Sequence, residues 1–174
     1  MATCPFCGTR NIDGADTCDS CQEPLEFLNK PRADSDLERS VLSARVYMLA
    51  PRRPIIVHPE TTVDEVLDLL ISHSIGCVVV VDHDEKIVGI FSERDALCEL
   101  NVDVSQLGDH PISEFMTASP ETIDRDAKIA FALQKMDVGG YRHLPVTTDG
   151  RITGVVSIRD VLDYITANLL AVAE

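Results

Sequence analysis

The stretch "GVVSIRDVLDYI" at 154–165 has a counterpart 65 residues earlier, "GIFSERDALCEL" at 89–100. Each runs glycine, two apolar residues, Ser-x-Arg-Asp and an apolar run with helical spacing. Outward from this pair, the chain passes twice through one plan. Pro-Glu-Thr stands before a helix at 59–61 and at 120–122. An apolar strand is predicted over 77–81 and 143–147, an acidic turn over 82–85 and 148–150, and a second strand over 86–91 and 151–156. The Ser-x-Arg-Asp helix closes each copy. With Pro-Glu-Thr as the marker, the spacing between copies grows from 61 to 65 residues across "KMDVGG". About four extra residues are therefore expected at the second helix-to-strand join, where Gly139 and Gly140 permit an unusual turn.

Val63, Val66, Leu67 and Leu70 mark one helical face in the first copy, and Ala127, Ala130, Leu133 and Met136 one in the second. Units of this length are too small to bury a core singly. Two packed together, related by a pseudo-two-fold, are expected to share a core and to leave matching grooves at their join. A further helix is predicted over 37–49, capped by Ser35 or Asp36 and following a polar linker, "NKPRADSD" (29–36).

Ser92 and Ser157 each follow a strand, with Asp95 and Asp160 three residues on, a spacing close to a capping box. A helix start also offers free N–H groups and a positive end. A first-turn carboxylate facing a cleft can accept both hydroxyls of a ribose, while the serine and Arg94 or Arg159 face phosphate. Caps and surface or ion-paired arginines account for the same residues, so both readings stand at this point.

Cys4, Cys7, Cys18 and Cys21 form C-x2-C-x10-C-x2-C. Paired units of this kind, in a chain whose start lacks a secretory signal pattern, favour tetrahedral thiolate coordination over disulfides. Four sulfur ligands leave no water position, which makes the metal, zinc or iron, structural. Cys77 and Cys98 lie in apolar surroundings and are expected to be small buried hydrophobes. His58, His73, His83 and His110 are scattered without metal spacing, and "DHDE" (82–85) reads as a solvated turn. No nucleophile is paired with a base, so catalysis is not expected. The formal net charge is −14, and residues 1–30 carry −3 of it, which disfavours a nucleic-acid partner. No run approaches the length of a membrane span, and a cytoplasmic location is the expectation.

The doubled G-h-h-S-x-x-D, "FMT" before the second copy, "PETTVDEV", and "YRHLPV" before an acidic turn resemble a tandem pair of cystathionine-beta-synthase-type (CBS) domains, or Bateman module, over roughly 40–168. The resemblance implies an α/β (α+β) fold of two pseudo-symmetric repeats packed together, here preceded by a small zinc-ribbon or rubredoxin-like knuckle. The expected division is 1–30 for the knuckle, 31–50 for linker and connecting helix, then 51–108 and 109–174 for the repeats.

It also implies a regulatory, homodimeric module that binds AMP, ADP, ATP or S-adenosylmethionine between repeats and acts on an effector protein. The implied ligand residues are Asp95 and Asp160 for ribose, Ser92 and Ser157 beside them, Thr61 and Thr122 near base or ribose, and Arg142 and His143 for phosphate. In line with Arg142-His143-Leu144-Pro145 the first copy has Cys77-Val78-Val79-Val80, so the two clefts are expected to differ, one competent and the other weaker, selective for uncharged ligand, or empty. A ligand-free adaptor, and a knuckle-borne nucleic-acid regulator, remain the alternatives.

Overall fold

The computed structural model describes residues 2–12, 15–25, 43–100 and 104–172. The knuckle opens the chain with β1 (Ala2–Thr3) antiparallel to β2 (Arg10–Asn11). The first copy contains β3 (Ile56–Val57), α1 (Val63–Ser72), β4 (Cys77–Val81), β5 (Ile87–Ser92), α2 (Glu93–Glu99) and α3 (Val104–Leu107). The second contains β6 (Thr117–Ala118), β7 (Ile123–Asp124), α4 (Ile129–Gly139), β8 (His143–Thr148), β9 (Arg151–Ser157) and α5 (Ile158–Val172). One sheet has the order β3-β4-β5-β6 and the other β7-β8-β9.

Local chemistry accounts for these elements. Thr62 caps α1, its hydroxyl accepting from Glu65 N while the Glu65 carboxylate accepts from Thr62 N. Every residue of the valine-rich β4 is buried, as suits a strand covered on both faces. Gly140, at φ 66°, ends α4 in the left-handed region, and Asp149-Gly150, both at positive φ, turn β8 into β9.

The pairing corrects the phase of the repeat. Ile112 N donates to Thr61 O as Val46 N does to Ala127 O, and Val63 N donates to His110 O as Ile129 N does to Ala44 O. Equivalent positions in these bonds are 66 residues apart throughout. Thr62 and Lys128, the residues before α1 and α4, keep that separation, and so do Cys77 and His143 at the strand starts. There is thus no four-residue insertion near "KMDVGG". The two Pro-Glu-Thr tripeptides are not equivalent: Thr61 corresponds to Ala127, and Thr122 to Ile56. Similarly, Arg142 and His143 correspond to Gly76 and Cys77, one residue off the alignment read from sequence.

The segment leading into each copy is built onto the other copy. Thr117 pairs with Ile90 of β5, whereas Arg52 bridges to Val155 of β9. Ile112 lies in the first core with Val57, Val63, Val78, Val80 and Phe91, while Val46 and Leu49 lie in the second with Ile129, Leu144, Val146 and Val156. Each copy therefore has its own core, completed by its partner's lead-in, instead of the single shared core expected. Residues 37–42 of the predicted helix, and its caps Ser35 and Asp36, lie outside the described residues; Val46–Leu49 is a short 3-10 turn.

On α4 the buried residues are Ile129, Phe131, Ala132 and Met136, a broader set than one face supplies. The extra one, Phe131, meets the Phe6 ring edge-on at a centroid distance of 4.8 Å. The knuckle thus packs against the second repeat, and α4 is covered from two sides.

Candidate functional site

Both Ser-x-x-Asp motifs form the cap, and the cap leaves part of each carboxylate over. Ser92 N and Oγ donate to Asp95 Oδ2 at 2.8 and 2.7 Å. Ser157 N and Oγ donate to Asp160 Oδ2 at 2.6 and 2.7 Å. The second oxygens differ. Thr117 Oγ1 donates to Asp95 Oδ1 at 3.4 Å, while Arg52 pairs with Asp160 Oδ1 at 3.5 Å. Arg52 and Thr117 occupy the same place on the two sheets, so the second oxygen meets a guanidinium in one copy and a neutral hydroxyl in the other.

Two clefts lie at the join. The one at Asp95 has a volume of about 890 Å³ and takes Ser92, Arg94 and Asp95 from the first copy, and Thr117, Glu121, Tyr141, Arg142 and His143 from beyond it. The one at Asp160 has a volume of about 70 Å³, between Arg52–Ile55, Ile75–Cys77, His143, Ser157 and Asp160. Small-molecule sites run to roughly 300–1,000 Å³, so the first has room for a mononucleotide and the second does not.

Arg94 reaches across the larger cleft, its Nη1 donating to Gly140 O at 2.9 Å. Leu97 stands exposed on the same wall as an uncovered apolar surface. His143 lines both clefts, and its ring lies so close to Gly76 that a Cβ there would meet Nε2 at 2.5 Å. Burial lowers its pKa from the ordinary value, Glu93 and Asp160 pulling the other way.

Of the residues expected from sequence, Ser92, Arg94, Asp95, Arg142 and His143 come together at the larger cleft, and Ser157 and Asp160 line the smaller with His143. Arg159 is exposed and lines neither. Nor do Thr61 and Thr122: Thr61 Oγ1 accepts from His58 N at 3.1 Å within a turn. The hydroxyl residues at the larger cleft's lip are instead Thr117 and Ser119, findable only through the true phase of the repeat. Cys98, expected buried, is exposed on this cleft's wall because α2 turns that face outward; Cys77 is buried as expected.

The cysteines converge. Cys4 and Cys21 sulfurs lie 3.6 Å apart, as do those of Cys7 and Cys18. A tetrahedron with bonds of about 2.3 Å has edges of roughly 3.8 Å, so the cluster fits such an ion without large rearrangement. The two knuckles are built alike. Gly8 N donates to Cys4 O and Gln22 N to Cys18 O, each at 2.9 Å, with Gly8 and Gln22 both at positive φ. Buried Asn11 holds the second loop, its Oδ1 accepting from Asp19 N and its amide facing Cys18 Sγ. The Thr9 hydroxyl brings Cys7 down to about 6, while burial pushes Cys21 up to about 12.

The knuckle also reaches the larger cleft. Lys135 on α4 places its ammonium 2.5 Å from Glu121 Oε2 in the cleft wall and 3.7 Å from Glu23 Oε1 of the knuckle. It lies 5.2 Å over the Phe6 ring.

The molecule is a tandem α/β repeat with a ligand-sized cleft at its join. The chain matches the CBS domain at residues 46–101 and 112–167, and it belongs to the CBS-domain family. An uncharacterized 17.7 kDa protein of Acidianus ambivalens is 32% identical over 122 residues, 69% of this chain and 72% of that protein. An inosine-5'-monophosphate dehydrogenase of Aquifex aeolicus is 34% identical over 116 residues, 63% of this chain but only 22% of the relative. A CBS-domain protein of Pyrobaculum aerophilum complexed with AMP superposes with a TM-score of 0.63 at 28% identity, covering 73% of this chain and 98% of that one. A CBS pair complexed with 5'-methylthioadenosine and S-adenosyl-L-methionine does so at 0.65 and 25% identity, over 72% and 98%. No helix among the described residues is long and apolar enough to cross a membrane.

Proposed function

We propose that the chain is a non-catalytic sensor that binds an adenosine mononucleotide, AMP or a close relative, in the Asp95 cleft. The observation that carries this is the division of labour within one carboxylate: Oδ2 of Asp95 makes the cap while Oδ1 faces a cleft of about 890 Å³. The ribose hydroxyls donate to Oδ1, the base lies against Leu97 and Tyr141, and Arg142 with Arg94 takes the phosphate. The AMP-bound relative supports the ligand class. Equilibrium titration of nucleotide-stripped protein with AMP, ADP, ATP and S-adenosylmethionine tests it. Saturable binding at one equivalent per chain is expected, and no binding of any of the four sinks the reading.

Asp160→Ala removes the same kind of cap and the Arg52 pair. We expect it to cost about 1 kcal/mol of stability and to leave AMP affinity within roughly twofold. Parallel melting and titration read both.

The knuckle ion in this proposal is zinc, held by the four thiolates as a closed structural site. Its tie to the cleft through Lys135 gives ligand binding a route to the knuckle, whose outer face is offered to an effector protein. Lys135→Ala frees the Glu121 carboxylate beside the phosphate. AMP affinity is expected to fall by roughly two- to fivefold, the scale of a part-exposed ion pair. An unchanged affinity would remove this route. Pairing of two copies belongs to the same proposal and is read by sedimentation at micromolar protein.

A further inference from the structure

We propose that His58, Glu60 and His83 form a second metal site, for a borderline divalent transition ion such as Zn²⁺ or Ni²⁺. The parallel register Val57↔Val80 sets the ends of β3 and β4 side by side. His58 follows β3, Glu60 stands in the turn before α1, and His83 stands in the turn after β4. Their ligand atoms all lie within 4.8 Å of one another. His83 Nε2 is 3.9 Å from Glu60 Oε1, and the two imidazoles stack at 5.5 Å. All three side chains are exposed, so an ion has an open path to them.

Three observations raise this above a chance surface cluster. His58 Nδ1 lies 3.2 Å from Val81 O. A carbonyl only accepts, so Nδ1 carries the proton and Nε2 keeps its lone pair, the outer hydrogen bond that orients a ligating histidine. The turns carrying the ligands are also fixed beforehand. Thr61 Oγ1 accepts from His58 N at 3.1 Å, and Asp82 Oδ1 accepts from Asp84 N and Lys86 N at 2.9 Å each. Binding then orders three side chains and little backbone. Finally, 66 residues on, Asp124 and Asp126 stand where His58 and Glu60 do, so the imidazoles belong to the first copy alone.

Two imidazole nitrogens with one carboxylate suit Zn²⁺ or Ni²⁺ better than Mg²⁺ or Ca²⁺. Three protein ligands leave coordination positions for water or an outside donor. None of the three residues lines either cleft, so the site is independent of nucleotide.

The test is calorimetric titration of the zinc-loaded protein with Ni²⁺, with amide NMR spectra alongside. One equivalent of Ni²⁺ per chain is expected, with paramagnetic broadening centred on residues 58–61 and 82–86. His83→Ala and His58→Ala should each weaken binding by at least about tenfold, with melting curves confirming the fold. His110→Ala, which removes the separate His110–Glu114 pair, should leave it unchanged. Absence of saturable binding would overturn the site. So would binding that survives both variants, or broadening centred on His110.

Discussion

Asp95→Ala should abolish most of the nucleotide affinity while leaving the protein folded. Two hydroxyls donating to one charged oxygen contribute roughly 3 kcal/mol together, so AMP affinity should fall by about 100-fold. The same substitution deletes the carboxylate half of the capping box on α2, at about 1 kcal/mol of stability. The two effects separate cleanly because the molecule carries its own control. Asp160 makes the same pair of bonds to its serine, yet its other oxygen is taken by Arg52. Asp95→Asn separates them again. Its single oxygen still accepts from Ser92, while an amide replaces the acceptor facing the cleft. Stability should then hold within about 1 kcal/mol, and affinity should still drop. Equal losses of affinity in Asp95→Ala and Asp160→Ala would contradict a single nucleotide site at Asp95.

Removing the knuckle metal should unfold residues 2–25 and leave the repeats folded. Among the described residues the knuckle's buried apolar cluster is Cys4, Cys18 and Leu25, with Phe6 and Ala15 against it, and its strands are two residues each. Structural zinc contributes roughly 10–16 kcal/mol in such units, far more than this burial can. With a chelator present, the Cys4, Cys18 and Leu25 amides, which bond to Thr9, Glu23 and Asp16 carbonyls, should lose their protection from hydrogen exchange. Phe131 would lose its Phe6 cover, costing the second repeat about 2 kcal/mol and lowering its melting temperature by about 8–16 °C. Unchanged protection at Cys4 and Cys18 after metal removal would show that the knuckle holds without the ion.

What sequence reveals here is what sits close along the chain. The strand over 77–81 is a continuous valine run and formed with those bounds. The Ser-x-x-Asp spacing determines a helix start, and both starts formed it. The cysteine pairs are short loops that close on themselves. The rest depends on pairings between distant segments. Pro-Glu-Thr marked the wrong phase because a turn tripeptide recurs easily, whereas the 66-residue offset is set by the cross-copy hydrogen bonds and the helix and strand starts. The larger cleft's identity turns on Arg52 against Thr117, residues that precede the copies whose partners they line. For the same reason the sequence does not show that Thr61 and Thr122 line neither cleft. Cys98 faces outward because α2 is short and has no buried residue of its own. His58 and His83, far apart in sequence, meet only through the parallel register of β3 and β4.

A crystal structure of the metal-loaded protein grown with AMP will show whether one adenosine nucleotide occupies the Asp95 cleft. AMP density is expected in that cleft alone, with both ribose hydroxyls in hydrogen-bond distance of Asp95 Oδ1 and the phosphate on Arg142. AMP seated at Asp160, or an empty Asp95 cleft at saturating AMP, would contradict it.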